Sequence, residues 1–186
     1  TQTKGFLWVP QYPKSLAPNP FFQVDQLVNS ATSVSDDNYG HDHWYVLTQT
    51  ASVQVSTQTL QENGQSTNAL LTQNQAGAQR MGYACIIEAA EAQKYRGRQI
   101  TFKPRLRISN SQAVRIAVIE WTGTADVVTS DIVNDWTSSD YTTGAARFFS
   151  DVTQSVLGNS AVTPSAATWT DATALTVTVG SSCNNL

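Results

Sequence analysis

The chain has 186 residues, 40% of them hydrophobic, which suits one domain with a real core. Only 13% are charged, against roughly 25% in ordinary soluble domains, and the polar load falls on Ser, Thr, Asn and Gln; with Thr and Val abundant, this favours strands over exposed helices. A net charge of −3 and a pI near 5.2 give no general attraction for nucleic acid or anionic membranes, and no apolar run approaches the ~20 residues of a membrane span.

Four of the six prolines fall in the first twenty residues, so 1–20 reads as an extended arm. The start lacks the order of a signal peptide, and beginning at Thr1 it reads as a processed or partial sequence. Phe6, Leu7, Trp8 and Tyr12 are too apolar for a solvated linker, so the arm is expected to dock on its own domain or on a neighbouring subunit. The domain proper is expected over 21–186. FFQVDQL aligns Phe22, Val24 and Gln26; Asn38 and Gly40 read as a turn; WYVLTQT aligns Trp44, Val46 and Thr48; SVQVSTQTL aligns Val53, Val55 and Thr57. Gly64 and Asn68 suggest a turn, and GYACIIEA a strand. EAAEAQKYRG is the one helical segment, about two turns ending at Gly97.

QITFKPRLRIS alternates Ile100, Phe102, Pro104, Leu106 and Ile108 against Thr101, Lys103, Arg105, Arg107 and Ser109. A tight SNSQ turn is expected to return it as QAVRIAVIEW, making a hairpin. Pro104 places that strand at an edge or a bulge. TALTVTVG gives a last strand with Leu175, Val177 and Val179 aligned. Many short strands without a repeating helix predict an all-β fold, a two-sheet antiparallel sandwich of jelly-roll type. Cys85, alternating with Tyr83 and Ile87, reads as a small buried hydrophobe or as a partner for Cys183.

YRGRQITFKPRLRIS, flanked by IIEAAEAQ and VRIAVIEWTGTADVVTSDIVNDW, resembles a family of jelly-roll domains in phage virion proteins, themselves related in shape to carbohydrate-binding modules. The resemblance starts at NPFFQVDQ and passes through DNYGHDHWYVL, where Asp42 and Trp44 fall on the family's Asp and buried Trp. It implies a virion location as a tail fibre, head fibre or decoration protein, in the company of other copies of itself and other virion proteins. Such domains usually carry one more apolar strand after a TALTVTV-like segment, whereas this chain reaches SSCNNL. The expectation is a sheet edge left open or covered by another chain.

Three constellations carry chemical interest. DDNYGHDHWY holds both histidines of the chain; a cupin-like metalloenzyme would use His41 and His43, but a third histidine is lacking. Asp36, Asn38, Gly40 and Asp42 have the alternate spacing of a loose calcium loop, with Asp36, Asn38 and Asp42 as its ligands, though the EF-hand's Gly position is not met and position 47 is Leu where it needs Glu. The expectation is no cofactor, with calcium as the exception to test, and with the histidines on the surface beside a buried Trp44. Glu120, Trp121, Asp126, Asp131, Asp135, Trp136 and Tyr141 combine aromatic faces with carboxylates, the groups that bind sugar rings and their hydroxyls. Trp8, Lys103, Arg105, Arg107 and Arg115 form a candidate interface, since like charges on alternate residues call for compensation. No nucleophile elbow or phosphate loop is present. The sequence thus reads as a non-enzymatic virion structural protein with affinity for cell-surface glycan; the alternative is a carbohydrate-binding module of a larger glycoside hydrolase.

Overall fold

The computed structural model describes residues 15–20, 22, 26, 32–62, 65–73, 79–127, 130–141, 145–150 and 154–186. In chain order the strands are β1 (Thr32–Val34), β2 (Asn38–His41), β3 (Trp44–Thr48), β4 (Val53–Glu62), β5 (Gln65–Gln73), β6 (Met81–Cys85), β7 (Gln99–Phe102), β8 (Arg105–Leu106), β9 (Val114–Trp121), β10 (Gln154–Val162), β11 (Thr170–Asp171) and β12 (Leu175–Thr178). A short helix, α1 (Ala89–Ala92), runs into a 3₁₀ turn at Gln93–Tyr95. The protein is all-β, and every ladder among these strands is antiparallel.

One sheet orders its strands β1-β4-β5 and another β2-β3-β6. They meet through valines: Val34, Val53 and Val55 of the first pack with Val46 of the second, and Met81 and Tyr83 close over them. The alternation of SVQVST accounts for this, because Val53 and Val55 are fully buried while Gln54 between them is exposed. Burying each such valine stabilises the fold by about 2 kcal/mol. Along β3, Val46, Leu47 and Thr48 are all buried, while Trp44 and Tyr45 at its start are half-buried.

The remaining ladders join distant parts of the chain. β7 pairs with β12, β8 with β11 and β9 with β10. Residues 99–108 alternate exposed and half-buried as their sequence requires. The expected hairpin between this segment and QAVRIAVIEW does not form: each half finds a later strand instead. Pro104 sits where the β7 and β8 ladders part, offering only its carbonyl, which accepts from Ala172 N at 3.0 Å. β5 and β10 carry little apolar alternation and were not expected; Asn68, read as a turn, lies inside β5 opposite Thr59.

The helix forms where Ala, Glu and Lys cluster, with Ala89 and Ala92 buried and Lys94 Nζ 2.6 Å from Glu91 Oε2. The 3₁₀ turn that continues it ends at Tyr95, and two residues on Gly97 turns the chain at a φ of 71° that suits glycine. The arm residues Phe6, Leu7, Trp8 and Tyr12, and Val24 of the first expected strand, lie outside the described residues. Asn19 and Phe22 dock on the β2–β3 hairpin: Asn19 Nδ2 donates to Asp42 O at 3.3 Å, and the Phe22 ring lies 5.4 Å from His41 and 5.1 Å from Trp44.

Asn185 and Leu186 bridge separate elements. Trp121 N donates to Asn185 O at 2.9 Å, while Ile87 N donates to Leu186 O at 2.7 Å. The buried Asn185 side chain adds a bond to Ile87 O at 3.1 Å. The ends of β6 and β9 are thereby tied to one short segment.

Candidate functional site

A two-residue turn at Asp42–His43 joins β2 to β3, with His41 opposite Trp44. Tyr39, two residues before His41, stands opposite Tyr45, one residue after Trp44. Between these pairs the register slips at Gly40, a β-bulge. The bulge decides which way the hairpin's side chains point. Tyr39 faces outward, 45% exposed, whereas His41, which simple alternation would put on the same side, turns inward and is fully buried. This corrects the reading of both histidines as surface residues. His41 Nε2 lies 2.7 Å from Thr57 Oγ1, and only His43 is exposed, at a left-handed φ of 68°. The turn residues also differ from expectation, because Asn38 and Gly40 belong to β2 and the turns fall at Asp36–Asp37 and Asp42–His43.

The two tyrosine rings stack with centroids 4.2 Å apart and planes 31° from parallel. Tyr45 Oη donates to Tyr39 Oη at 2.7 Å, which leaves the Tyr39 proton for another acceptor. Burial, and then the bond to Tyr39, push the Tyr45 hydroxyl up to about 12, so it stays protonated at neutral pH. Beside this platform lies an open pocket of about 350 Å³, lined by Tyr39, His43, Tyr45, Ile86, Glu88, Asp126 and Asn185. Its volume fits one or two sugar rings.

Asp126 is fixed from three directions. Its Oδ1 accepts from Ala89 N at 2.8 Å and from Asn185 Nδ2 at 2.9 Å, and its own N donates to Asn185 Oδ1 at 3.0 Å. The Ala89 bond, and then the Asn185 bond, hold the carboxyl below its ordinary value. It is therefore an ionised acceptor, with Oδ2 outside both bonds. Glu88 precedes the helix in extended conformation with its side chain exposed.

The seven residues expected to bind glycan are divided among three places. Glu120 accepts from Gly180 N at 2.8 Å, and Trp121 Nε1 donates to Thr124 O at 2.9 Å; both serve the junction near Asn185. Asp126 alone lines the pocket. Asp131 and Trp136 border a second hollow of about 20 Å³, room for a water rather than a sugar. Asp135 accepts from Thr137 N and Oγ1 at 2.8 and 2.7 Å, a turn-capping role in which the Thr137 hydroxyl and then its N–H lower its pKa. Trp136 and Tyr141 pack on Phe148, at 5.8 and 6.4 Å between centroids.

Arg115 joins this aromatic cluster and not the basic strip. Its guanidinium carbon is 4.7 Å from the Phe148 centroid and 5.0 Å from that of Tyr141, and Nη1 donates to Ser138 O at 2.6 Å. Lys103, Arg105 and Arg107 do share the exposed side of β7–β8. Arg105 lies 3.6 Å from Asp171 and 5.8 Å from the Trp169 ring, and Arg107 Nε donates to Ala167 O at 3.0 Å. Trp8 lies outside the described residues.

The expected calcium positions serve the backbone. Asp36 Oδ1 accepts from Thr48 N at 2.6 Å, Asp42 Oδ2 accepts from Gln26 N at 2.7 Å, and Asn38 Nδ2 donates to Asp36 O at 2.8 Å. Among the described residues no three His, Cys, Asp or Glu side chains gather closely enough to hold a metal ion. Cys85 and Cys183 are free thiols. Burial raises them to about 12 and about 11, with Glu120 adding to the rise at Cys183. Sequence reasoning passed over Tyr39 and Tyr45, because a regular hairpin around Asp42–His43 would set Tyr39 opposite Val46, and only the slip at Gly40 brings the two tyrosines face to face.

The chain is thus an all-β antiparallel protein with an open pocket beside two stacked tyrosines. Comparison with protein-family models, with curated proteins and with solved structures finds no match.

Proposed function

We propose that this chain is a non-enzymatic jelly-roll sandwich domain of a bacteriophage particle, present in several copies on the virion surface, and that it holds cell-surface glycan in the Tyr39–Tyr45 pocket. The virion assignment rests on the resemblance of the YRGRQITFKPRLRIS and DNYGHDHWYVL segments to phage jelly-roll domains. The jelly-roll reading is supported by the valine-packed sheets and by β7 and β8 returning to pair with strands far later in the chain. The observation that carries glycan binding is the aromatic platform standing beside an ionised carboxylate in an open pocket. Sugar rings present C–H faces to aromatic surfaces and hydroxyls to carboxylates, and Tyr39 and Asp126 offer both kinds of group.

A glycan array probed with the intact chain and with Tyr39→Ala tests this reading. Binding to at least one glycan class, reduced about tenfold or more in the variant, is expected. Equal binding by the variant removes the site from this pocket. Trp136→Ala, in the separate aromatic cluster, serves as the control that should bind normally if it folds.

A further inference from the structure

We infer that the pocket is selective for neutral sugars and rejects acidic ones, with Glu88 as the residue that sets this selection; the inference rests on the glycan reading above. Of the seven lining residues, Glu88 and Asp126 are carboxylates, and no lysine or arginine is among them. Asp126 is committed to the charged form, because the Ala89 N–H and the Asn185 amide both end on its Oδ1. A neutral sugar gains from this arrangement, since its hydroxyls donate to Asp126 Oδ2 while its ring covers Tyr39. A sialic acid or uronic acid brings a further negative charge into the same space. At contact distance in water, one like-charge pair disfavours association by about a factor of five.

Glu88 makes the better determinant of the two. Asp126 holds the start of the helix and the Asn185 amide, so changing it alters the fold as well as the charge. The Glu88 carboxylate has no hydrogen bond among the described residues; only its backbone carbonyl is used, accepting from Glu91 N and Ala92 N. Its charge can therefore be removed or reversed without disturbing the helix. Tyr39→Phe is the matching probe for the platform, keeping the ring while deleting the hydroxyl.

The test compares an array of neutral hexose and N-acetylhexosamine glycans with the same structures capped by sialic or uronic acid, for the intact chain, Glu88→Gln, Glu88→Lys and Tyr39→Phe. We expect the intact chain to prefer the neutral set by about fivefold or more at low salt, with the preference shrinking in 0.5 M NaCl. Glu88→Gln should narrow it and Glu88→Lys should invert it. Tyr39→Phe should weaken neutral and acidic glycans alike. Stronger binding to acidic glycans by the intact chain, or a preference indifferent to Glu88→Lys, overturns the selectivity and leaves the adhesion reading standing. Binding to no glycan at all overturns both.

Discussion

At Gly40 a single methyl group meets a closed space. A Cβ built there would come 2.8 Å from Val46 Cγ2 and 3.2 Å from Tyr83, and Val46 belongs to the buried valine core. Gly40→Ala should lower stability by about 1–3 kcal/mol in urea titration and disturb the Tyr39–Tyr45 pair; an unchanged midpoint would show that the bulge has slack. Asn185 has more partners to lose. It donates to Ile87 O and Asp126 and accepts from Asp126 N, so Asn185→Ala should cost about 2–4 kcal/mol by stranding buried groups. The Asp126 carboxyl gives a pH signature. Its pKa lies lower in the fold than its ordinary 3.8, so its contribution is present above about pH 4 and is lost as pH falls through the folded value. Asp126→Asn should flatten the acid limb of the stability curve, whatever its effect at pH 7. The thiols behave oppositely: raised to about 12 and about 11, Cys85 and Cys183 stay neutral at pH 7.5, and iodoacetamide should label them far faster in denaturant than in the native protein. At this scale the sequence spoke clearly for Val53 and Val55 and misleadingly for His41. Alternation is a local rule, and the bulge at Gly40 reversed it two residues before the turn.

Elements were legible where their own pattern was strong. Residues 99–108, the strand at 175–178 and the short helix before Gly97 all follow from period or composition. Their partners were not, because pairing is set by side chains from distant segments: β7 needed the face of β12, which no turn signal announces. β10 was hidden for another reason. It carries little apolar alternation, and Gly158 sits at a register slip against β9 and lets β10 lie close to β12. A Cβ on Gly158 would fall 2.7 Å from Val177 Cγ1 and 3.1 Å from Leu175 Cδ1. Gly158→Val should therefore cost more than Gly158→Ala, by about 1 kcal/mol or more, read from thermal midpoints of the two variants. Equal midpoints would mean that the strands separate freely there. The expected glycan site had the same weakness as the expected hairpin. Glu120, Trp121, Asp126, Asp131, Asp135, Trp136 and Tyr141 are near in sequence, but the loops between them lead to different parts of the fold, and the tyrosines that stack in the pocket come from a hairpin some eighty residues earlier.

For the molecule as a whole, the low charge content leaves packing and long ladders as the main sources of stability. Thr101 meets Thr176 across 75 residues, and Asn185 meets Ile87 across 98. Closing such loops is slow, so refolding is expected in the range of milliseconds to seconds, not microseconds. Stopped-flow tryptophan fluorescence would measure it, and a microsecond phase carrying the full amplitude would contradict this account. The Asn185 bridge has a further implication for how the protein is made. A ribosome delivers residues in order, at about 5–20 per second, so β6, α1 and β9 leave the tunnel well before the segment that ties Ile87 to Trp121. During those seconds the valine sheets can form, while the pocket wall, which needs Asn185 against Asp126, cannot. The nascent chain thus carries its tyrosine pair before the pocket wall closes beside it, and the glycan binding proposed above should appear abruptly once residues 183–186 settle against Asp126.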